Sequence, residues 1–376
     1  MGENRKEGVH VEGVLTKIPE VRLGSVVCED IMGNTQSPLV KKGTKVTREL
    51  LQVFNVFQIT KAYVTGPAVP SEALDIQKAE HVPVTTLDSF AAVTPFKKRY
   101  RSAVMQFKNE FFSWEAGAKI SIPTLREIML PLINDVLHHR VRIFTLNEYS
   151  NPLEYIYNHA ISTALITAVI AQKMNYSKGE VIQLALASMI ADSGMAKIPK
   201  KVREKAAALT QQEFQMIKEH PRDSLLMVKD LPLVKTEMKI AIFQHHERLD
   251  GSGYPCNSSG NTITVLAHIL AVADIFHAMT CERVYKKAAS PFNVIEMIQK
   301  EKFGKFHIEP VQALLDCVID VSLGASVILS NHSIGQIVFT NKNNPTRPVV
   351  KIAGFDETID LSKSKDLYIE KILVKD

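Results

Sequence analysis

The chain has 376 residues, of which 45% are hydrophobic and 23% charged. That is enough to bury a large core in more than one domain, and it excludes a disordered or fibrous chain. A net charge of +5, spread along the sequence, tolerates anionic ligands but builds no groove for a nucleic-acid polymer. Cys28, Cys256, Cys281 and Cys317 form no CxxC pair and no disulfide framework, so a reducing compartment is expected. The polar start MGENRKEGVH has no hydrophobic run behind it, and no stretch reaches the roughly 18 uncharged apolar residues that a membrane span needs. The expectation is a soluble cytoplasmic protein that does not engage a membrane.

Residues 1–75 read as a small α+β unit. The apolar runs Gly24–Cys28 and Ala62–Val64 suit strands. Thr47 suits the N-cap of a helix from about Arg48, whose Leu50, Leu51, Phe54 and Phe57 keep helical spacing. Pro67 and Pro70 open a linker over 76–97. Helical periodicity then dominates residues 98–322. Helices are predicted near 98–117, 123–138, 151–174, 178–191, 210–220, 233–246, 262–281 and 291–301. From 323 to 376 the segments SVILSN, GQIVFT, RPVVKI and LYIEKIL are short, β-branched and separated by turn residues, which predicts a small β unit. The fold class expected is mainly α, with an α+β unit before the helices and a β appendage after them.

Chemistry concentrates in the helical region. His159 lies on the apolar helix YIYNHAISTALITAVIAQKM, and Asp192 follows LALASMI. His220 ends a predicted helix just before Pro221. His245 and His246 end another, and Asp274 interrupts LAVADIFHAM. A single buried histidine or aspartate is usually just hydrogen-bonded. Six such groups on helix ends and buried faces are the ligand supply of a divalent metal site. A carboxylate shared by two ions would activate water for phosphoester cleavage.

The run HHERLDGSGYP (245–255) resembles the signature of HD-GYP proteins, bacterial members of the HD phosphohydrolase superfamily that hydrolyse cyclic di-GMP. The resemblance covers about 150–320 and includes EHPRDS (219–224), AHILAVADIFHAMT (267–280) and ERVYKK (282–287). It implies a helical HD-type bundle. It also implies that His159, Asp192, His220, His245, His246 and Asp274 are metal ligands, with Asp192 bridging, and that Asp192, His245 and His246 carry catalysis. Tyr254, Arg283 and Lys286 then belong to the substrate side, the last two facing phosphate. One or two divalent ions, iron or manganese, are the implied cofactor. Cyclic di-GMP or a related cyclic dinucleotide is the implied partner. The flanking units leave room for a protein partner, and a homodimer is compatible with the sequence.

Departures from the family pattern fall in one run. Where the family reads HDIGK this chain reads ADSGM (191–195): Ala191 replaces a nitrogen ligand and Met195 replaces the lysine beside the phosphate. Tyr155 stands where trinuclear members carry a glutamate, and His277 stands where a second aspartate usually follows Asp274. The later FDP run appears only as FHIEP (306–310). An alanine offers no lone pair. The lost lysine removes a charge-assisted contact of roughly 1.5–3 kcal/mol. Two readings follow: a signalling module that binds nucleotide or a partner without efficient hydrolysis, and a working phosphodiesterase with a variant site that yields pGpG or GMP.

Overall fold

The computed structural model describes residues 13–18, 21, 24–32, 38–47, 50–51, 54, 59–65, 95–205, 207–283, 287–301, 304–321, 323–355, 357–364 and 366–373. The chain forms two compact units, Met1–Thr85 and Thr86–Asp376.

In the first unit β1 (Val14–Lys17) and β2 (Val26–Val27) flank β5 (Lys61–Thr65) in an antiparallel sheet. A separate ribbon pairs β3 (Ile31–Met32) with β4 (Pro38–Val40). Strand β5 alternates, with Ala62 and Val64 buried between exposed neighbours, and this period-2 pattern made it legible. Ala62 and Val64 close a small core with Ile18, Val21, Val27, Val40, Val46 and Phe54. The Thr47 hydroxyl accepts the Leu50 N–H at 3.3 Å, as an N-cap does. Arg48 and Phe57 lie outside the described residues.

The second unit is helical and carries a sheet at its end. Helix α1 (Pro95–Glu115) buries Phe96, Tyr100, Ala103, Val104, Phe107, Phe111 and Trp114, a stripe at intervals of three and four. Helix α2 (Ile122–His138) starts at Ser121, whose side chain caps Thr124. Helix α3 (Tyr155–Lys173) is buried continuously from Tyr157 to Ala171; a helix apolar on every side belongs at the centre of a bundle. Helix α4 (Lys178–Ile190) begins with a capping box between Ser177 and Glu180. Then follow α5 (Lys200–Arg203), α6 (Gln211–Lys218), α7 (His220–Val228), α8 (Thr236–Gln244), α9 (Val265–Thr280), α10 (Pro291–Glu301) and α11 (Ile308–Ile319). Helices α1, α2, α4, α9 and α11 all pack on α3.

One local expectation is corrected. His220 does not end a helix; it opens α7, with Pro221 in the first turn. Proline is tolerated there because the first N–H groups of a helix need no intrahelical acceptor. Helix α11 and the short α5 were not predicted.

The last five strands form one antiparallel sheet in the order β10 (Ile369–Leu373), β6 (Ser326–Leu329), β7 (Ile334–Phe339), β8 (Val349–Ile352), β9 (Thr358–Asp360). Val327, Leu329, Ile337, Val350 and Ile369 share one hydrophobic core with the helices. Arg347 grips both Glu296 oxygens, at 2.5 and 2.9 Å, and donates to the Ser364 and Leu367 carbonyls, tying the sheet to α10. The described residues thus make a mainly α protein with a small sheet in its first unit and another at the end of its second. None of their helices is long and apolar enough to cross a membrane.

His268 on α9 is buried, and neither of its ring nitrogens has a hydrogen-bond partner among the described residues. Burial, then the neighbouring His307 and Arg248, push its pKa down from 6.5 to about 4. A histidine whose folded pKa is depressed favours folding above the unfolded pKa, and that stability is lost as pH falls through the folded value. Replacing His268→Phe is therefore expected to flatten the fall in Tm between pH 6.5 and 4. An unchanged slope in a thermal-melt series would contradict this role.

Candidate metal centre

Five helices deliver the candidate ligands from their ends or buried faces. His159 lies in the second turn of α3, and Asp192 lies just past Ala191, the C-cap of α4. His220 begins α7, His245 caps α8 with His246 next, and Asp274 lies in the third turn of α9. Close approach makes this convergence possible. Gly194 packs so tightly on α7 that a Cβ there would sit 2.2 Å from the His220 carbonyl oxygen, and its N–H donates to Ser224 Oγ at 2.8 Å. Gln244 binds both the Thr262 carbonyl and the Thr264 N–H, fixing the start of α9 against the end of α8.

Asp192 is the centre of the arrangement. Its Oδ1 lies 3.0 Å from His220 Nε2 and 3.4 Å from His245 Nε2, and those two nitrogens are 3.4 Å apart. Their other nitrogens fix the tautomers. His220 Nδ1 is 2.7 Å from the Ile217 carbonyl and His245 Nδ1 is 2.6 Å from the Ile242 carbonyl. A carbonyl only accepts, so both Nδ1 atoms carry hydrogen, and it is the Nε2 atoms that face the carboxylate, each with a lone pair in this tautomer of the neutral ring. Two lone pairs and a carboxylate oxygen at that range repel unless a cation, a proton or a metal ion, lies among them. Burial alone would raise the Asp192 pKa, but the His220 and His245 imidazoles against its Oδ1, sharing a proton with it, hold it well below the usual range. His246 is held well below the ordinary histidine value by burial and by His245. One donor atom from each of Asp192, His220, His245 and His246 falls within a span of 4.8 Å. Buried imidazoles whose far nitrogens are anchored to carbonyls, beside an ionised carboxylate, suit a borderline divalent ion.

The opposite face of Asp192 differs. Its Oδ2 is 3.6 Å from His159 Nε2, which lies 2.9 Å from Asp274 Oδ1. Asp274 Oδ2 is 3.5 Å from His246 Nδ1. Burial would raise the Asp274 pKa too, but the His159 hydrogen bond and the His246 charge hold it well below the normal range. Ala191, the residue before Asp192, is buried in the hydrophobic core and offers no donor atom. His159 Nδ1 turns away, 2.8 Å from His277 Nδ1 and 3.1 Å from the Tyr155 hydroxyl. Arg283 donates to that hydroxyl at 2.5 Å and lies over the Tyr155 ring.

These groups floor a cleft of about 950 Å³, at the upper end of small-molecule sites. Tyr155, His159, Asp192, Met195, His220, His246, Tyr254, Asp274 and Arg283 line it, with an apolar outer wall that includes Leu153, Leu209 and Phe214. The Tyr254 ring lies 4.6 Å from that of His246. Its loop is fixed by Glu247, which is fully buried and accepts the Cys256 and Ser258 N–H groups at 2.7 and 2.9 Å.

The predicted ligands therefore converge, and Tyr254 and Arg283 line the same cleft. Lys286 lies outside the described residues. Arg283 is engaged with Tyr155, and Lys197, the lysine closest after Met195, pairs with Asp223 at 3.4 Å. Sequence reasoning missed Glu247 and Gly194, because neither carries metal-type chemistry and their roles appear only where two segments meet.

Comparison with known proteins places this cleft among relatives. Residues 136–309 match the family model described as HD domain. The chain is 27% identical over 293 residues to Cyclic di-GMP phosphodiesterase PA4108 of Pseudomonas aeruginosa, covering 77% of this chain and 67% of that protein. It is 28% identical over 193 residues to Cyclic di-GMP phosphodiesterase PdeB of Borreliella burgdorferi, covering 51% of this chain and 50% of that protein. It is 31% identical over 147 residues to 3'3'-cGAMP-specific phosphodiesterase 3 of Vibrio cholerae, covering 39% and 32% respectively. The chain thus spans half or less of the length of the last two.

The contact at Gly194 has a direct consequence. Gly194→Ala is expected to push α7, and with it His220, away from Asp192, lowering both Tm and the affinity for Mn²⁺. Calorimetric titration of Mn²⁺ into the variant checks this; wild-type metal affinity would show that the close approach does not position His220.

Proposed function

We propose, since residues 136–309 match the HD domain family model, that this chain is a metal-dependent binding protein for a cyclic dinucleotide of the cyclic di-GMP type, with impaired hydrolysis. One observation carries the reading: the two faces of Asp192 are unequal. Its Oδ1 face meets two anchored imidazole nitrogens, with His246 beside them. Its Oδ2 face meets His159, which is itself paired with Asp274, and the adjacent Ala191 is buried in the hydrophobic core and offers no donor atom. Asp192, His220, His245 and His246 would hold one divalent ion, iron or manganese; His159 and Asp274 would hold a second only weakly. A bound ion of this kind polarises a phosphate oxygen and lowers the pKa of water.

The remaining residues shape binding. Tyr254, its phenol held neutral by burial, walls the cleft beside His246, and Arg283 stands at the far end over Tyr155. Met195 lines the floor where a lysine would bind phosphate in the family pattern, so the developing charge of a cleavage step loses a charge-assisted contact. The proposed setting is the cytoplasm; Cys28, Cys256, Cys281 and Cys317 are all unpaired thiols, as suits a reducing compartment. A slow hydrolysis to pGpG or GMP is the second reading, favoured by the retention of His159 and Asp274 at 2.9 Å from each other beside Asp192.

Turnover of cyclic di-GMP in Mn²⁺ and Fe²⁺, measured beside binding, tests the choice. The wild type is expected to bind and to turn over at least about a hundredfold more slowly than the Ala191→His/Met195→Lys double variant, the range of a lost electrostatic contact in catalysis. Ala191→His alone should raise metal content before activity. Equal turnover in wild type and double variant would establish the second reading instead.

A further inference from the structure

We infer that Lys218 is a phosphate-binding residue at the edge of the cleft, where it meets a second phosphate of a ligand whose first is seated at the Asp192 cluster, and that the cleft therefore selects ligands with two separate phosphates. This deepens the reading above and rests on it. Lys218 lies in the last turn of α6, two residues before His220. Its Nζ lies 5.0 Å from the Phe214 ring centroid and 5.6 Å from that of Tyr254, both residues of the cleft lining.

Four other cations near this rim are engaged. Lys197 pairs with Asp223, Arg203 with Glu115, Lys205 with Glu213 at 2.6 Å, and Arg283 with the Tyr155 hydroxyl. Among the described residues Lys218 has no carboxylate or hydrogen-bond partner. Two aromatic rings of the cleft lining attract the ammonium by cation–π interaction without occupying its three N–H donors. An ammonium so placed matches the tetrahedral oxygens of a phosphate, for which lysine acts as a point charge.

The position decides which phosphate. Lys218 does not line the cleft with Asp192, His220 and His246 but stands beside Phe214 and Tyr254 at its edge, apart from a phosphate seated at the Asp192 cluster. Lys218 therefore meets a second anionic group of the same ligand. A cyclic dinucleotide carries two phosphodiesters in one ring and fits this demand; a lone phosphate does not. Phe214, exposed on the same wall, offers a face on which a purine would stack.

Calorimetry on the manganese-loaded full chain tests the inference with cyclic di-GMP and inorganic phosphate as probes. Lys218→Gln, and Lys218→Met, which keeps the apolar stem over the rings, are expected to weaken cyclic di-GMP about tenfold or more, as loss of a charge-assisted hydrogen bond does. Both should leave inorganic phosphate within about twofold and metal content unchanged. Lys218→Arg should retain most of the affinity, and Lys197→Gln should be silent. Variants that bind cyclic di-GMP like wild type, or that weaken inorganic phosphate equally, overturn the role of Lys218 and leave the proposed function standing. A wild type that gives no heat and no thermal shift with cyclic di-GMP overturns both.

Discussion

Two buried imidazole nitrogens and an ionised carboxylate oxygen at the floor of the cleft, all within 3.4 Å, set the terms for the rest of the helical unit. Each pair repels in a medium of low dielectric, and the repulsion is relieved only by a cation placed among them. The Ile217 and Ile242 carbonyls sharpen the demand by holding the hydrogens of His220 and His245 on the outward nitrogens. A site built this way is prepared for its ion before the ion arrives.

The architecture supplies that preparation from ordinary parts. Histidines at helix ends sit where backbone carbonyls lack intrahelical partners, so the last turns of α6 and α8 provide the anchoring acceptors without extra residues. The fully buried α3 gives His159 a rigid base. Gly194 and the Gln244 bridge close the distances between α4, α7, α8 and α9. Glu247 spends both carboxylate oxygens on loop N–H groups and so fixes Tyr254 beside His246.

Much of this was legible because it depends on periodicity and residue type. The stripe of α1, the apolar run of α3 and the alternation in β5 follow from burial patterns that a sequence displays directly. The candidate ligands stood out because histidine and aspartate are costly on apolar helices unless they have partners. What stayed hidden depends on encounters between distant segments. Gly194 reads as a turn residue until α7 is seen against it, and Glu247 reads as a surface acid until its loop folds back. His220 was assigned to the wrong helix end because a following proline usually marks a stop, whereas here it occupies the first turn. Helix α11 escaped because His307, its N-cap, is an unusual capping residue.

The unequal faces of Asp192 make the account specific to this chain. Ala191 and Met195 stand where the family pattern carries a nitrogen ligand and a lysine, while Arg283 is drawn to Tyr155 and Lys218 lies beside the Tyr254 ring. The most direct measurement is the number of Mn²⁺ ions bound per chain at saturation, by elemental analysis after exhaustive buffer exchange. One ion per chain, lost in Asp192→Ala, is the predicted result. Two ions held with equal tenacity, or none, would contradict the account.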